Sequence, residues 1–390
     1  MQHIHRIALA AALGCLSFGA AAQTQPIKIG VVTPLSGTYA GIGQQVKMGL
    51  ELAAKEINAG GGVMGRKLEL IYEDGEANPA VAVQKAEKLF QVNKVDFLTG
   101  TVNSGATLAV GQVAERNARL MATTVSFADS ITGDKCSPNV FRVNASAGMQ
   151  SAALANWMAS ATPNAKVFYL GPDYEMGRST VAAFKAAAET KGATSVGEVF
   201  APLGNKDYSP FFGQIRAAQP TVLYTSVAGN DTVRLLTQMA DFGLNRNLQV
   251  VGASGTVTSQ NLPAIGKAAN GFVTGVGYAI SLGTPENKKF VTAFEALNKV
   301  QPDLYGADSY GVLYFYKAAV EKAKSTDTDK VRKAMGGLQW ATPQGMKTMR
   351  ASDHQAMQDM YAVRVNDGKF EIVGKVAVAD AIGSNRCNRF

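Results

Sequence analysis

Groups that do nucleophilic or metal chemistry are scarce. His3, His5 and His354 are the only histidines, and two of them fall within the first five residues. A folded body therefore has one imidazole. Multi-histidine metal sites are excluded, and a Ser-His-Asp or Cys-His triad could recruit only His354. The cysteines are Cys15, Cys136 and Cys387, with no CxxC among them. That pattern excludes cysteine-rich zinc sites and thioredoxin-type redox motifs. Asp353-His354 resembles half of an acid–base pair but has no indicated serine or cysteine partner, so a surface or hairpin role is expected.

Three glycine-bearing segments look like nucleotide or hydrolase motifs and fail on context. Gly60-Gly61-Gly62-Val63-Met64-Gly65 follows a helical pattern and precedes a strand, the reverse of a dinucleotide fingerprint. It also lacks the Gly-Lys-Ser/Thr of a P-loop. In Gly252-Ala253-Ser254-Gly255-Thr256, threonine stands where a nucleophile elbow needs its last glycine. No catalytic residue, metal or cofactor is expected. Gly100-Thr101-Val102-Asn103-Ser104-Gly105 is different, because it follows a strand and opens a helix. Ser104 is expected to be the helix N-cap, and the free N–H groups beside it suit a carboxylate.

The elements that must position these residues are short apolar strands alternating with amphipathic helices. Strands are expected at 27–32, 67–72, 95–98 and 120–125, with helices at 46–57, 80–90 and 106–119 between them. The pattern restarts with strands at 166–170, 194–200, 221–225 and 248–251. Helices are expected at 179–191, from the Ser209 cap with Pro210 at its first turn, and at 231–242. Two successive βαβα runs imply an α/β protein with two doubly wound, Rossmann-like parallel-sheet lobes. Residues 346–373 read as hairpins that tie the lobes together. With the two lobes facing each other, the loops at the strand ends converge on one cleft.

Composition agrees. The 390-residue chain is 46% hydrophobic and 17% charged, with a net charge of +8 and no basic run that would mark a nucleic-acid arm. Residues 1–22 read as a secretory signal: Arg6, an apolar stretch too short to span a bilayer, and Ala20-Ala21-Ala22 before the cleavage point. Cleavage before Cys15, as in a lipoprotein, is the alternative, but Leu13 fits that motif poorly. Removal of Cys15 leaves two cysteines in an oxidising compartment. A Cys136–Cys387 disulfide that pins the C-terminal tail is expected, with two unrelated buried thiols as the alternative.

Several segments together carry a resemblance: IKIGVVTPLSG, INAGGGVMGRKLELIYEDGEANP, FLTGTVNSG, DKCSPNVFRVNAS, GPDYEMGRS and GNKDYSPFFGQIRA. Across roughly residues 26–373 the chain resembles type I periplasmic solute-binding proteins of the branched-chain amino-acid (leucine/isoleucine/valine-binding) family. The resemblance implies a monomeric, non-enzymatic periplasmic protein whose lobes close on a small molecule. It delivers that molecule to inner-membrane ABC permease subunits and binds no nucleic acid. It implies residues 23–144 with 276–360 in one lobe and 145–275 with 361–390 in the other, with hinges near 143–146, 274–279 and 361–365.

Position by position, the resemblance makes Ser104 the anchor for the ligand carboxylate, with Asn103 beside it. Val125 and Phe127 fall where the family supplies a carbonyl and a hydroxyl to the amino acid, and Phe127 has no hydroxyl. Ile42 and Met176 fall where amino-acid binders tend to carry tyrosine. Ser254 falls where they carry the acid that pairs with the ammonium group. Tyr39, Tyr174, Ala228 and Asp231 border the same cleft. These departures imply a small carboxylate or amide without an α-ammonium group and with an aromatic or apolar body. If Asp231 reached the site, it would restore the missing charge and ordinary amino-acid binding. A branched-chain amino-acid, amide or urea binder is the alternative, and a ligand-sensing receptor domain or an enzyme on the same scaffold is a remote one.

Overall fold

The computed structural model describes residues 25–390; the expected signal segment and Cys15 lie outside them. The first run comprises β1 (Ile27–Thr33), α1 (Ala40–Ala59), β2 (Leu68–Asp74), α2 (Pro79–Gln91), β3 (Phe97–Gly100), α3 (Ser104–Arg116), β4 (Leu120–Thr123) and β5 (Val140–Arg142). The second comprises α4 (Ala147–Ala161), β6 (Lys166–Pro172), α5 (Glu175–Thr190), β7 (Thr194–Ala201), α6 (Ser209–Ala218), β8 (Val222–Thr225), α7 (Asn230–Asp241), β9 (Gln249–Gly252), α8 (Leu262–Ile265) and β10 (Val273–Val276). Next come α9 (Pro285–Asn298), α10 (Leu304–Ala323), α11 (Thr328–Met335), β11 (Gln339–Thr342), β12 (Gly345–Met349) and β13 (Ala356–Met357). The chain closes with β14 (Met360–Asn366), β15 (Lys369–Val376) and α12 (Val378–Ala381).

Two sheets result. One is parallel throughout, in the order β2-β1-β3-β4-β5. The other has the order β15-β14-β10-β9-β8-β6-β7, with β14 and β15 antiparallel at one edge. The central strands are buried on both faces, as their continuous apolar runs require. Strand order reverses between β1 and β3 in the first lobe and between β6 and β8 in the second. The loops after those four strands therefore open into the crevice where ligands sit in such folds.

The first expected hinge keeps its place, and the other two shift. Residues 274–276 lie in β10 and 361–365 in β14, which pair with each other inside the second sheet. The chain crosses between lobes at 143–146, as expected, and then at 277–284 and at 358–359. The C-terminal end also departs from expectation. From Gly383 onward it leaves the second lobe and packs on the first, with Gly383 O accepting from Arg350 and Asn385 donating to Ser352 O. The disulfide is present: Cys136 and Cys387 are joined, 251 residues apart in sequence.

His354 is in a hairpin connection but not at the surface. It is buried, stacked on Phe141 at 3.9 Å, and its Nδ1 lies 3.2 Å from Val140 O. Among the described residues no helix is long and apolar enough to cross a membrane.

Candidate functional site

The cleft is built from the four loops at the switch points and the loop after β4. Tyr39 precedes α1, and Ile42 lies in its first turn. Tyr174 and Met176 stand at the start of α5, and Ala228 lies just before α7. Val125 and Phe127 follow β4. Side chains from both lobes pack in one apolar cluster: Tyr39, Ile42, Val125 and Phe127 from the first, with Met176, Ala228 and Tyr174 from the second.

The lobes touch across the opening. Tyr39 and Tyr174 share a hydroxyl–hydroxyl hydrogen bond of 2.9 Å, and Asn230 N–H donates to Thr38 O at 3.3 Å. Ser130 Oγ donates to Glu175 at 2.7 Å, and Asp129 N–H to Ser179 Oγ at 2.9 Å. Burial raises the pKa of both tyrosines far above neutrality, so they meet as neutral phenols.

Asn103, not Ser104, caps α3: its Oδ1 accepts from Ala106 N–H at 3.1 Å. A side-chain oxygen one residue before the first turn reaches the N3 amide, a task Ser104 cannot do from inside the helix. Ser104 is thereby left for other work. Its Oγ is buried and accepts from Ala128 N–H at 3.3 Å, while its own O–H has no acceptor among the described residues. Nearby, Thr107 and Ser126 meet at 2.5 Å and Ser126 Oγ donates to Thr101 O at 2.8 Å. These bonds fix the loops after β3 and β4 to each other and so fix Ser104 relative to Phe127.

Asp231 is the one carboxylate among the predicted cleft residues, and both its oxygens are engaged. Oδ2 accepts from Gly204 N–H at 2.8 Å and Oδ1 from Arg234 at 2.6 Å. Burial raises its pKa, with those two donors opposing. It ties the loop after β7 to α7. Ser254 is buried, and its N–H donates to Gln150 Oε1 at 3.0 Å.

Tyr305 was not anticipated. It comes from the first turn of α10, stacks toward Phe127 with centroids 6.3 Å apart and planes 25° apart, and reaches the loop that holds Ser254. A Cβ on Gly255 would lie 1.8 Å from its hydroxyl. The helix is held close because α1 and α10 cross backbone to backbone. A Cβ on Gly49 would fall 2.2 Å from Gly306 O. Local sequence carries no sign of this, since Asp303, the cap of α10, marks a helix start and nothing more. Gln150, the partner of the Ser254 amide, was likewise missed.

The periplasmic binding protein family model matches residues 26–369. The chain belongs to this family. It is a type I periplasmic binding protein of the branched-chain amino-acid ABC group, the substrate-binding component of a transporter. The Leu/Ile/Val-binding protein homolog 3 of Brucella melitensis biotype 1 is 29% identical over 84% of this chain and 86% of its own length. Two solved binding proteins of Rhodopseudomonas palustris are each 26% identical with a TM-score of 0.84. One, from strain BisB5, is in complex with 3,4-dihydroxybenzoic acid and covers 91% of this chain and 98% of its own. The other is in complex with benzoate and covers 90% and 98%. Family membership implies a secreted, periplasmic protein with a small-molecule ligand and permease partners.

Proposed function

We propose that this binding protein captures a small aromatic carboxylate without an α-ammonium group, closes on it, and presents it to an inner-membrane permease without altering it. The observation that carries this reading is the state of Asp231. The only acid among the predicted cleft residues is already held by Arg234 and Gly204. Ser254 offers no charge. A buried ammonium without an anion costs several kcal/mol. A ring sandwiched by apolar walls gains roughly 2–3 kcal/mol. The balance favours an acid with a phenyl body: Ser104 O–H and the α3 N-terminus for its carboxylate, Phe127 and Tyr305 for its ring. The benzoate and dihydroxybenzoate bound by the two R. palustris proteins support the same class.

Amino-acid uptake is the second reading, favoured by the Brucella relative's name. It requires Asp231 to leave Arg234. Residues 1–22 serve in this account as the export signal, so the mature chain starts at Gln23 and acts as a monomer.

A thermal-shift panel tests the proposal. At one hundred times Kd a ligand stabilises the fold by about 2.7 kcal/mol. Benzoate and its hydroxylated forms are expected to raise Tm by several degrees, and leucine, isoleucine and valine to leave it unchanged. The opposite ranking would return the protein to amino-acid transport.

A further inference from the structure

Three chain crossings join the lobes, and the C-terminal segment adds a fourth. α12 belongs to the second lobe: Ala381 is buried with Met149 and Ala153 of α4, and Val378 N–H donates to Asp359 at 3.1 Å. Ile382 packs against the same cluster. One residue later the chain is on the first lobe. Gly383 O accepts from Arg350 Nη1 at 2.8 Å, and Asn385 Nδ2 donates to Ser352 O at 3.2 Å. Cys387 is bonded to Cys136. Arg389 donates to Cys136 O at 3.0 Å and to Glu115 at 2.9 Å, and the Phe390 ring lies 4.3 Å from His354.

The crossing has no slack. Its last anchor on one lobe and its first anchor on the other are adjacent residues, and consecutive Cα atoms stand about 3.8 Å apart. Lobe rotation that separates the two anchors by more than a few Å must strip one of them. The segment spans a gap rather than a packed interface. A cavity of about 220 Å³ lies beneath it, lined by Asp129 and Arg142 of the first lobe and by Ser146 and Gly148 at the start of α4.

The non-covalent anchors at this end are mostly at the surface, where such contacts contribute about 0–1 kcal/mol each. They could peel away one by one. The disulfide prevents that, because the far end stays attached. The geometry points to a strap: Cys136–Cys387 locks the C-terminal segment across the hinge and limits how far the lobes swing apart before ligand arrives. Fewer wide-open states leave more of the protein near closure, and apparent affinity rises with the fraction that is competent to bind. This rests on the lobe closure proposed above.

Distance measurements between dyes on keto-bearing amino acids at exposed Lys55 and Ala186, on α1 and α5, test the strap without using the cysteines. Three forms are compared: the oxidised protein, the Cys136→Ser/Cys387→Ser double variant, and a variant with about six Gly-Ser residues inserted between Ile382 and Gly383. The insertion keeps the disulfide and every anchor and removes only the tautness. In ligand-free protein both variants are expected to populate longer distances than the parent. Under the same account their affinity for benzoate falls roughly 2- to 10-fold. A parent-like distance distribution in the insertion variant at parent-like Tm overturns the strap. Should benzoate fail to narrow the distribution in any form while the ligand-free distributions still differ, the ligand reading fails and the strap stands.

Discussion

Tyr39 of the first lobe and Tyr174 of the second meet hydroxyl to hydroxyl at 2.9 Å, so the closed state contains a bond that opening must break. Both hydroxyls stay protonated at neutral pH because burial raises their pKa. A neutral hydrogen bond of this kind contributes about 0.5–1.5 kcal/mol. Tyr174→Phe is therefore expected to weaken ligand binding about 2- to 10-fold. Its effect on the Tm of ligand-free protein should be small, because each lobe keeps its own core. A large loss of Tm with unchanged affinity would place the bond in folding rather than closure.

Gly229 offers a steric test of the same closure. Its φ is +60°, and a Cβ there would lie 2.4 Å from Thr38 O of the opposite lobe. Gly229→Ala adds strain at a backbone conformation that suits glycine, of order 1–3 kcal/mol. It adds a clash that exists only when the lobes meet. Small-angle scattering with saturating ligand should show the parent compacting and the variant remaining extended, with affinity down at least tenfold. Equal compaction in both would contradict the observed contact.

A buried ion pair of the first lobe is hydrogen-bonded to the hinge backbone. Lys347 Nζ donates to Asp308 at 2.5 Å and to Val143 O, in the first crossing, at 2.9 Å. Both side chains are almost fully buried. Lys347→Met leaves the buried Asp308 carboxylate without a counter-charge, with only the Gln344 amide donating to it at 2.8 Å, and is expected to cost about 3–5 kcal/mol in denaturant unfolding. The Lys347→Met/Asp308→Leu pair removes both charges and should recover most of that loss. A double variant no better than the single one would show that Lys347 acts through Val143 alone.

Two buried groups oppose each other in pH dependence. Burial lowers the pKa of His354 from an ordinary 6.5 to about 4, so the folded protein keeps it neutral. Between those values the unfolded chain binds the extra proton, and stability falls as pH falls, by about 3 kcal/mol in all. Burial, with Asp308 adding to it, raises Asp303 from 3.8 to about 7. Between those values the folded state keeps the proton and the unfolded state loses it, so this group lowers stability as pH rises. Asp303→Asn keeps a capping oxygen on α10 and removes the second effect. Its unfolding free energy should climb more steeply from pH 4 to pH 7 than that of the parent. An unchanged slope would mean that Asp303 is ionised in the folded state.

Much of this was legible because its physics is local. Runs such as Ile27–Thr33 could only be strands buried on both faces, and alternation of strands with helices fixed the doubly wound topology. That topology placed Tyr39, Ser104, Tyr174 and Ala228 at switch-point loops. The two-cysteine count anticipated the disulfide. What stayed hidden depends on long-range pairing. Strands β10 and β14 are hydrogen-bonded partners in the second sheet, so the apolar runs near 275 and 363 belong to a lobe and the crossings lie beside them. Tyr305 reaches the cleft only because Gly49 lets α1 and α10 touch, a contact between residues more than 250 positions apart. The cap of α3 could have been found: Asn103 and Ser104 are both good caps, and only the backbone phase decides between them.

Titration calorimetry on protein stripped of any retained ligand addresses the central claim most directly, with benzoate and leucine as the two titrants. The account predicts that benzoate binds with a Kd near or below 1 μM, about −8 kcal/mol, and that leucine gives no heat at millimolar concentration. Ser104→Ala should weaken benzoate by about 1–3 kcal/mol, as loss of a hydrogen bond to a charged group does. Tight binding of leucine with no response to benzoate would contradict the account, because it would require a carboxylate for the ammonium where this cleft has Ser254 and an Asp231 already bound to Arg234.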